Sequence, residues 1–193
     1  RRPYHHGNLR RALLDAAVVA IAESGPTGLS LRDLARRAGV SHAAPAHHFG
    51  DKAGLLTALA TQGFEMLADA LSGIWANQGD LLELGIGYVR FAVDHRAHFE
   101  VMFRPELYHA DDPGLVAARK RAGAALRAGV AGLTGTPSGA DARRNVLAAW
   151  SIVHGFATLW LGGAFSPEDV GTDPEAAARA VISRLFATPP PAG

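Results

Sequence analysis

Apolar residues recur at spacings of three and four along most of the chain, the period of helices with one buried face. Leu9, Leu13, Ala16, Ala17, Ala20 and Ile21 form the first such stripe, with Asn8 as N-cap and Gly25-Pro26 as the stop. Ser30-Leu31-Arg32-Asp33 has the form of a capping box, Ser30 at the N-cap and Asp33 at N3, and Leu29 and Leu34 are placed for a hydrophobic staple. Leu31, Leu34, Ala35 and Ala38 give a two-turn helix its buried face, and Gly39 closes it. Ser41 is then the expected N-cap of a short third helix over 42–49, with Pro45 in its first turn. There Pro45, His48 and Phe49 share one side, while His42, Ala43, Ala46 and His47 share the other.

Asp51 caps a long fourth helix with a stripe through Leu55 or Leu56, Leu59, Phe64, Met66, Leu67, Ala70 and Ile74. Further helices are predicted over about 80–95, 97–104, 113–134, 139–163 and 173–187, divided by Gly- and Pro-bearing breaks such as Arg104-Pro105 and Ser166-Pro167. No segment alternates with period two between turn signals, so the fold class is all-α. The organisation expected is a helix-turn-helix domain over 1–51, a helical ligand-binding and dimerisation domain over 52–188, and a disordered Pro-rich tail over 189–193.

Composition narrows the function. The chain has 193 residues, 48% of them hydrophobic, and no Cys, which removes disulfides, thiolate catalysis and Cys-ligated zinc together. No apolar run reaches a membrane span and no signal peptide is evident, so a cytoplasmic protein is expected. Charge is uneven: residues 1–50 carry seven Arg against Asp15, Glu23 and Asp33, a net of +4, while the remainder is acidic. Such an end suits a polyanionic partner. Two helices joined by Gly39-Val40-Ser41 have helix-turn-helix spacing, and the small, polar side of the third helix has no apolar reason for burial. That side is shaped to enter a DNA major groove, where base edges carry sequence.

The run from Leu29 through Gly39-Val40-Ser41-His42-Ala43-Ala44-Pro45, then His48-Phe49 and Lys52, resembles the DNA-binding domain of the TetR family of one-component regulators. Trp150-x-x-x-His154-Gly155 resembles the Trp-His-Gly motif of one C-terminal domain type in that family. The resemblance implies a bacterial homodimer that binds a double-stranded DNA operator and represses until a small-molecule effector releases it. Two positions depart from the pattern: Ala46 stands where the family usually has Tyr, and His47 where it often has Arg. A phosphate-reaching hydroxyl and a fixed charge are thereby lost, and both supply register and affinity. The candidate DNA-contacting set is Arg10, Ser30, Arg32, Ser41, His42, Ala43, Ala46, His47, His48 and Lys52. Ala43 and Ala46 offer thymine methyl contact without a hydrogen bond. Imidazolium forms of the exposed His would favour phosphate, so binding is expected to strengthen as pH falls. Adjacent His on a helix diverge and no third ligand is spaced for them, so no metal is expected, and no cofactor.

In the body, Leu147, Trp150, His154, Ala157 and Leu161 form one stripe of the 139–163 helix, and Val146, Ala149, Val153, Phe156 and Trp160 a second. A helix apolar on two faces buries one on its own core and needs a partner for the other. Val146, Ala149, Val153, Phe156 and Trp160, with Val181 and Leu185 of the last helix, are the expected dimer interface. Two recognition helices about 34 Å apart would read a palindrome. Met66, Tyr88, Phe91, His95, Phe99, Met102, Phe103, Trp150 and His154 are the candidate effector contacts, being aromatic and Met side chains with a few polar handles. His154, on a Trp-bearing stripe, requires a partner: a carboxylate, a backbone carbonyl or a ligand. Motifs of an enzyme are missing, with no Gly-rich phosphate loop and no Gly-x-Ser-x-Gly. The rival reading is a helical ligand-binding or interaction protein whose DNA binding is weakened or lost.

Overall fold

The computed structural model describes residues 6–134 and 138–184, with side-chain surroundings for 9–77, 79–131 and 138–184. Among these residues the chain is all-α, with no strand, as the period of its apolar residues predicts. Helix α1, His6–Gly28, begins before Asn8, so Asn8 lies inside it and is not its cap. Its regular course breaks at Gly25, whose φ of 71° and ψ of 166° suit glycine, immediately before Pro26. Leu13, Ala17 and Ile21 are fully buried on its inner face.

Helix α2 is Leu31–Arg37. Ser30 has the extended backbone of an N-cap, but its hydroxyl caps nothing. Asp33 turns to Arg36 and Arg37, so the capping box does not form. Three bonds from two guanidinium cations engage both carboxylate oxygens and outcompete a single uncharged N–H donor at Ser30. Leu29 and Leu34 are both buried, as a staple requires. The helix closes in a Schellman motif: the Gly39 N–H donates to the Arg36 carbonyl and the Val40 N–H to that of Ala35. Gly39 holds the left-handed position, φ 66°.

Helix α3, Ala44–Phe49, starts two residues later than the sequence predicts. Residues 41–44 form a turn in which the Ser41 carbonyl accepts from the Ala44 N–H, so Ser41 is not the N-cap. Pro45 gives the reason. In a helix beginning at 42 it would have to donate to Ser41, whereas beginning at 44 places it where no N–H is required. Asp51 caps α4, Lys52–Gln78, by accepting from the Gly54 N–H at 2.7 Å.

Helices α5, Leu81–Asp94, and α6, Arg96–Met102, follow. The predicted run to 104 stops early because Pro105 disfavours helical backbone before it, and a 3₁₀ turn, Pro105–Leu107, takes over. Next come α7, Pro113–Thr134, and α8, Ala140–Leu161. A four-residue α9, Pro167–Val170, lies at what the sequence marks only as a break, and α10 is Pro174–Ser183. The predicted extension of the last helix to 187, with Leu185 and Phe186, and the tail over 189–193 lie outside the described residues.

The chain forms two compact units. The first comprises residues 1–66 and 95–120: α1 to α3, the first half of α4, α6, the 3₁₀ turn and the start of α7. In it α1 packs on α2 and on α6, and α2 packs on α3. Gly63 is the close approach between α4 and α6: a Cβ there would come within 2.5 Å of Met102 Sδ and 3.2 Å of His98 Cβ. The second unit comprises 67–94 and 121–193, with α5 packed against both α8 and α10. Arg90 on α5 forks onto Glu175 of α10, and Arg179 pairs with Glu83 at 2.6 Å.

Gly39→Val should destabilise the first unit by about 1–2 kcal/mol, the cost of a side chain in left-handed backbone. Urea denaturation would show it as a lowered midpoint at unchanged slope; an unchanged midpoint would mean that the turn is not a fixed element.

Candidate nucleic-acid interface

Everything the sequence assigns to the outer side of α3 is exposed: His42, Ala43, Ala46 and His47, with Ser41 preceding them. Pro45 is buried beneath, and His48 and Phe49 are half-buried. The face is therefore small at Ala43 and Ala46 and polar at the two imidazoles. His48 does not join it, but lines a groove of about 680 Å³ with Arg10, Phe49, Thr57, Gln62 and His109.

Ion pairing sorts the head's cations. Arg36 and Arg37 both bond Asp33 at 2.6 Å, and Arg37 reaches Glu23 on α1 at 2.7 Å. Those bonds hold the Glu23 and Asp33 carboxyls below the ordinary carboxylate range. Arg11 lies beside Asp15. Arg32 is exposed, and among the described residues neither Arg32 nor Arg10 pairs with a carboxylate; Arg10 sits over the Phe49 ring at 5.2 Å. Lys52 donates to the Thr27 carbonyl at 2.7 Å, which seats its ammonium between the end of α1 and the start of α4. Ser30, whose hydroxyl makes no cap bond to its own helix, is exposed beside α2. Among the described residues of this domain, Arg10, Arg32 and Lys52 are thus the cations that hold no carboxylate, and such cations suit contact with a phosphate backbone.

The candidate effector contacts divide between the units. Met66, His95, Phe99, Met102 and Phe103 belong to the first; Tyr88, Phe91, Trp150 and His154 belong to the second. In the first unit Phe103 meets Phe64 and Phe99 edge-on, and the Arg119 guanidinium lies over Phe64. In the second, one hydrogen-bond partner of His154 is a side chain that sequence spacing does not suggest. It is the Tyr88 phenol, 2.9 Å from Nδ1, whose oxygen also accepts from the Trp150 indole N–H at 3.3 Å. Burial pushes the phenol up and the imidazole down, so both are neutral, and the phenol donates to Nδ1. Tyr88 also borders a cavity of about 30 Å³ among Leu84, Ile152, Val153 and Ile182, room for a single water or methyl group.

A family model described as Tetracyclin repressor-like, C-terminal domain matches residues 81–185, and one described as Bacterial regulatory proteins, tetR family matches 13–59. The chain belongs to the TetR family. It is 36% identical to a protein of unknown function from Rhodococcus sp. RHA1, whose structure superposes with a TM-score of 0.78 over 96% of this chain and 97% of that one. The TetR family transcriptional regulator PfmR from Thermus thermophilus shares the fold, with 22% identity and a TM-score of 0.66 over 90% of this chain and 96% of that one. The HTH-type transcriptional regulator BetI of Escherichia coli O139:H28 is 44% identical over 62 residues, 32% of each chain, so this chain aligns with about a third of that curated relative's length.

Residues 13–59 of this TetR-family chain are therefore its DNA-binding domain, and α3 lies within it. Sequence reasoning placed the exposed face of that helix but missed the pairing of Arg36 and Arg37 with Asp33 and Glu23, since charge counting does not say which Arg is already neutralised. Among the described residues no helix is long and apolar enough to cross a membrane, and no three His, Asp or Glu gather where a metal would sit.

Tyr88→Phe should cost about 1–2 kcal/mol, because Trp150 Nε1 and His154 Nδ1 both lose a partner in a half-buried site. Thermal denaturation of the variant checks it; wild-type stability would show that water serves both groups equally well.

Proposed function

We propose that this TetR-family regulator is a homodimeric repressor that holds a palindromic DNA operator until a small-molecule effector releases it. The observation that carries the reading is the exposed face of His42, Ala43, Ala46 and His47, in a domain where Arg10 and Arg32 hold no carboxylate among the described residues. His42, Ala43 and His47 meet base edges, while Arg10, Ser30, Arg32, Ser41 and Lys52 hold phosphates. Residues 1–51 act as the reading head and 52–188 as the sensing and dimerising body, in the cytoplasm where operator DNA is reached.

Dimerisation is supported by apolar side chains left uncovered on α8 and α10: Leu147, Trp150, Leu159 and Val181, 36–56% exposed. These shift the interface from its expected stripe. Val153 and Phe156 are buried within the chain, Val146, Ala149 and Trp160 are half-buried, and Leu185 lies outside the described residues. The exposed set, joined by Val146 and Ala149 at its edge, is the surface a second copy covers. The effector enters beside Tyr88, Trp150 and His154. The cavity of about 30 Å³ must widen to admit it, since drug-sized ligands occupy roughly 300–1,000 Å³. That widening differs between the bound and free states, which is what couples ligand to DNA affinity.

Selection of bound sequences from random duplex DNA, followed by a salt titration, tests the reading. An enriched palindrome whose affinity falls about as the 0.9 power of salt per phosphate contacted is expected. Weak, unenriched binding would instead favour a ligand-binding protein whose readout is lost at Ala46 and His47. On the selected duplex Ala46→Tyr should tighten binding about fivefold by adding a phosphate hydrogen bond worth about 1 kcal/mol. An unchanged affinity would show that position 46 lies off the phosphate track.

Leu147→Arg with Leu159→Arg should convert a dimer to a monomer in analytical ultracentrifugation and lower duplex affinity at least about tenfold through lost bivalency. A dimer that survives both charges would move the interface elsewhere.

A further inference from the structure

His98 is the buried polar group that neither DNA reading nor effector binding uses. It is 6% exposed, on the face of α6 that meets α4, and α6 also packs on α1. Its Nε2 lies 3.3 Å from Gln62 Oε1 on α4, so Nε2–H donates there and Nδ1 is left as a bare lone pair. Among the described residues nothing hydrogen-bonds Nδ1. A buried polar atom without a partner costs stability and calls for an account.

The geometry points to His98 as a proton switch that loosens the seating of α1 on α6 in mildly acidic conditions and thereby weakens the hold of the head on DNA. This rests on the operator-binding reading above. The groups facing the ring are few. On α6 there is His95, its ring 6.1 Å away; on α4 there is neutral Gln62; and toward α1 there is Asp15, exposed and beside Arg11. Burial lowers the imidazole's affinity for a proton, His95 lowers it further, and Asp15 opposes both. Protonation would place a charge and a second N–H where no acceptor waits. The cation is relieved by water entering the α4–α6 contact or by the ring turning toward Asp15 on α1, and either displaces α6, on which α1 is seated. From α1 the disturbance passes to α2 by direct packing and through the Glu23–Arg37 pair, and from α2 to α3.

The sign follows from linkage. Packing favours the neutral ring, so the packed-state value lies below the unfolded 6.5. The seam's contribution is complete above about pH 6.5 and is lost as pH falls from there through the packed-state value.

Wild type, His98→Phe and His98→Gln are compared between pH 7.5 and 5.5 at fixed salt. Hydrogen exchange at α1 and α6 and fluorescence anisotropy with the selected duplex are the readouts. Exchange protection in both helices should fall with pH in wild type and hold in the variants. The variants should bind the duplex as wild type does at pH 7.5 and at least roughly threefold more tightly at pH 5.5. Exchange that follows pH identically in all three proteins, or an affinity ratio that is constant with pH, overturns the switch. If no duplex is bound at pH 7.5 the operator reading fails, and exchange alone decides whether the seam responds to the proton. Should His98→Phe fail to fold, His98→Gln carries the comparison with a neutral polar group in place.

Discussion

Helices of seven and six residues do not hold themselves in water, because so few hydrogen bonds cannot repay nucleation. Helices α2 and α3 are of that length. Their order is borrowed from packing: α3 leans on α2, α2 on α1, and α1 on α6. The Schellman turn at Gly39 fixes the angle between the two short helices, and Leu34 and Ala35, fully buried, fix their depth. The presentation of α3 is thus a property of the α1 seat more than of α3 itself.

The second unit is built on the opposite economy. Helix α5 is buried along Leu84 to Val89, and Gly85 allows the close approach: an added Cβ would sit 3.2 Å from Val153 and 3.4 Å from Ile182. Burying α5 so fully consumes the inner faces of α8 and α10, and their remaining apolar residues are left outside. A helix with two apolar faces and one core to serve has a surplus, and Leu147, Trp150 and Leu159 are that surplus. The polar link of Tyr88 to Trp150 and His154 lies at the margin between the two regions, where a side chain can be half-buried and still hydrogen-bonded.

Local periodicity carried the fold class, most helix positions and the outward side of α3, because each depends on residues within a few positions of one another. What required three dimensions stayed hidden. His154 and Tyr88 are 66 residues apart, and His98 and Gln62 are 36 apart, so neither pairing leaves a trace in spacing. The late start of α3 was within reach, since a helix beginning at 42 asks Pro45 for a hydrogen it lacks. The two stripes of α8 were found correctly as stripes. Which one faces inward depends on where α5 and α10 lie, and the sequence of α8 alone holds no record of that. The same limit applied to Asp33, whose Ser-x-x-Asp context suited a cap while two nearby arginines offered stronger bonds.

Charge pairing at the head has a consequence for specificity. Asp33 and Glu23 neutralise the two arginines that end α2, so part of the positive excess in the first fifty residues goes to tying α2 to α1. Among the described residues of this domain, the cations left without a carboxylate are Arg10, Arg32 and Lys52. Strong fixed cations bind any duplex about equally, and reducing their number lowers non-specific affinity along with total affinity. Specificity is the ratio of the two. Ala43 and Ala46 contribute to it through shape, since a methyl-sized surface fits close to thymine methyls and sacrifices no hydrogen bond at other bases. Discrimination by such contacts is small at each base pair. On the proposed dimer such small increments add over two heads at a fixed spacing, which is the physical link between the sparse chemistry of α3 and the exposed apolar residues of α8 and α10.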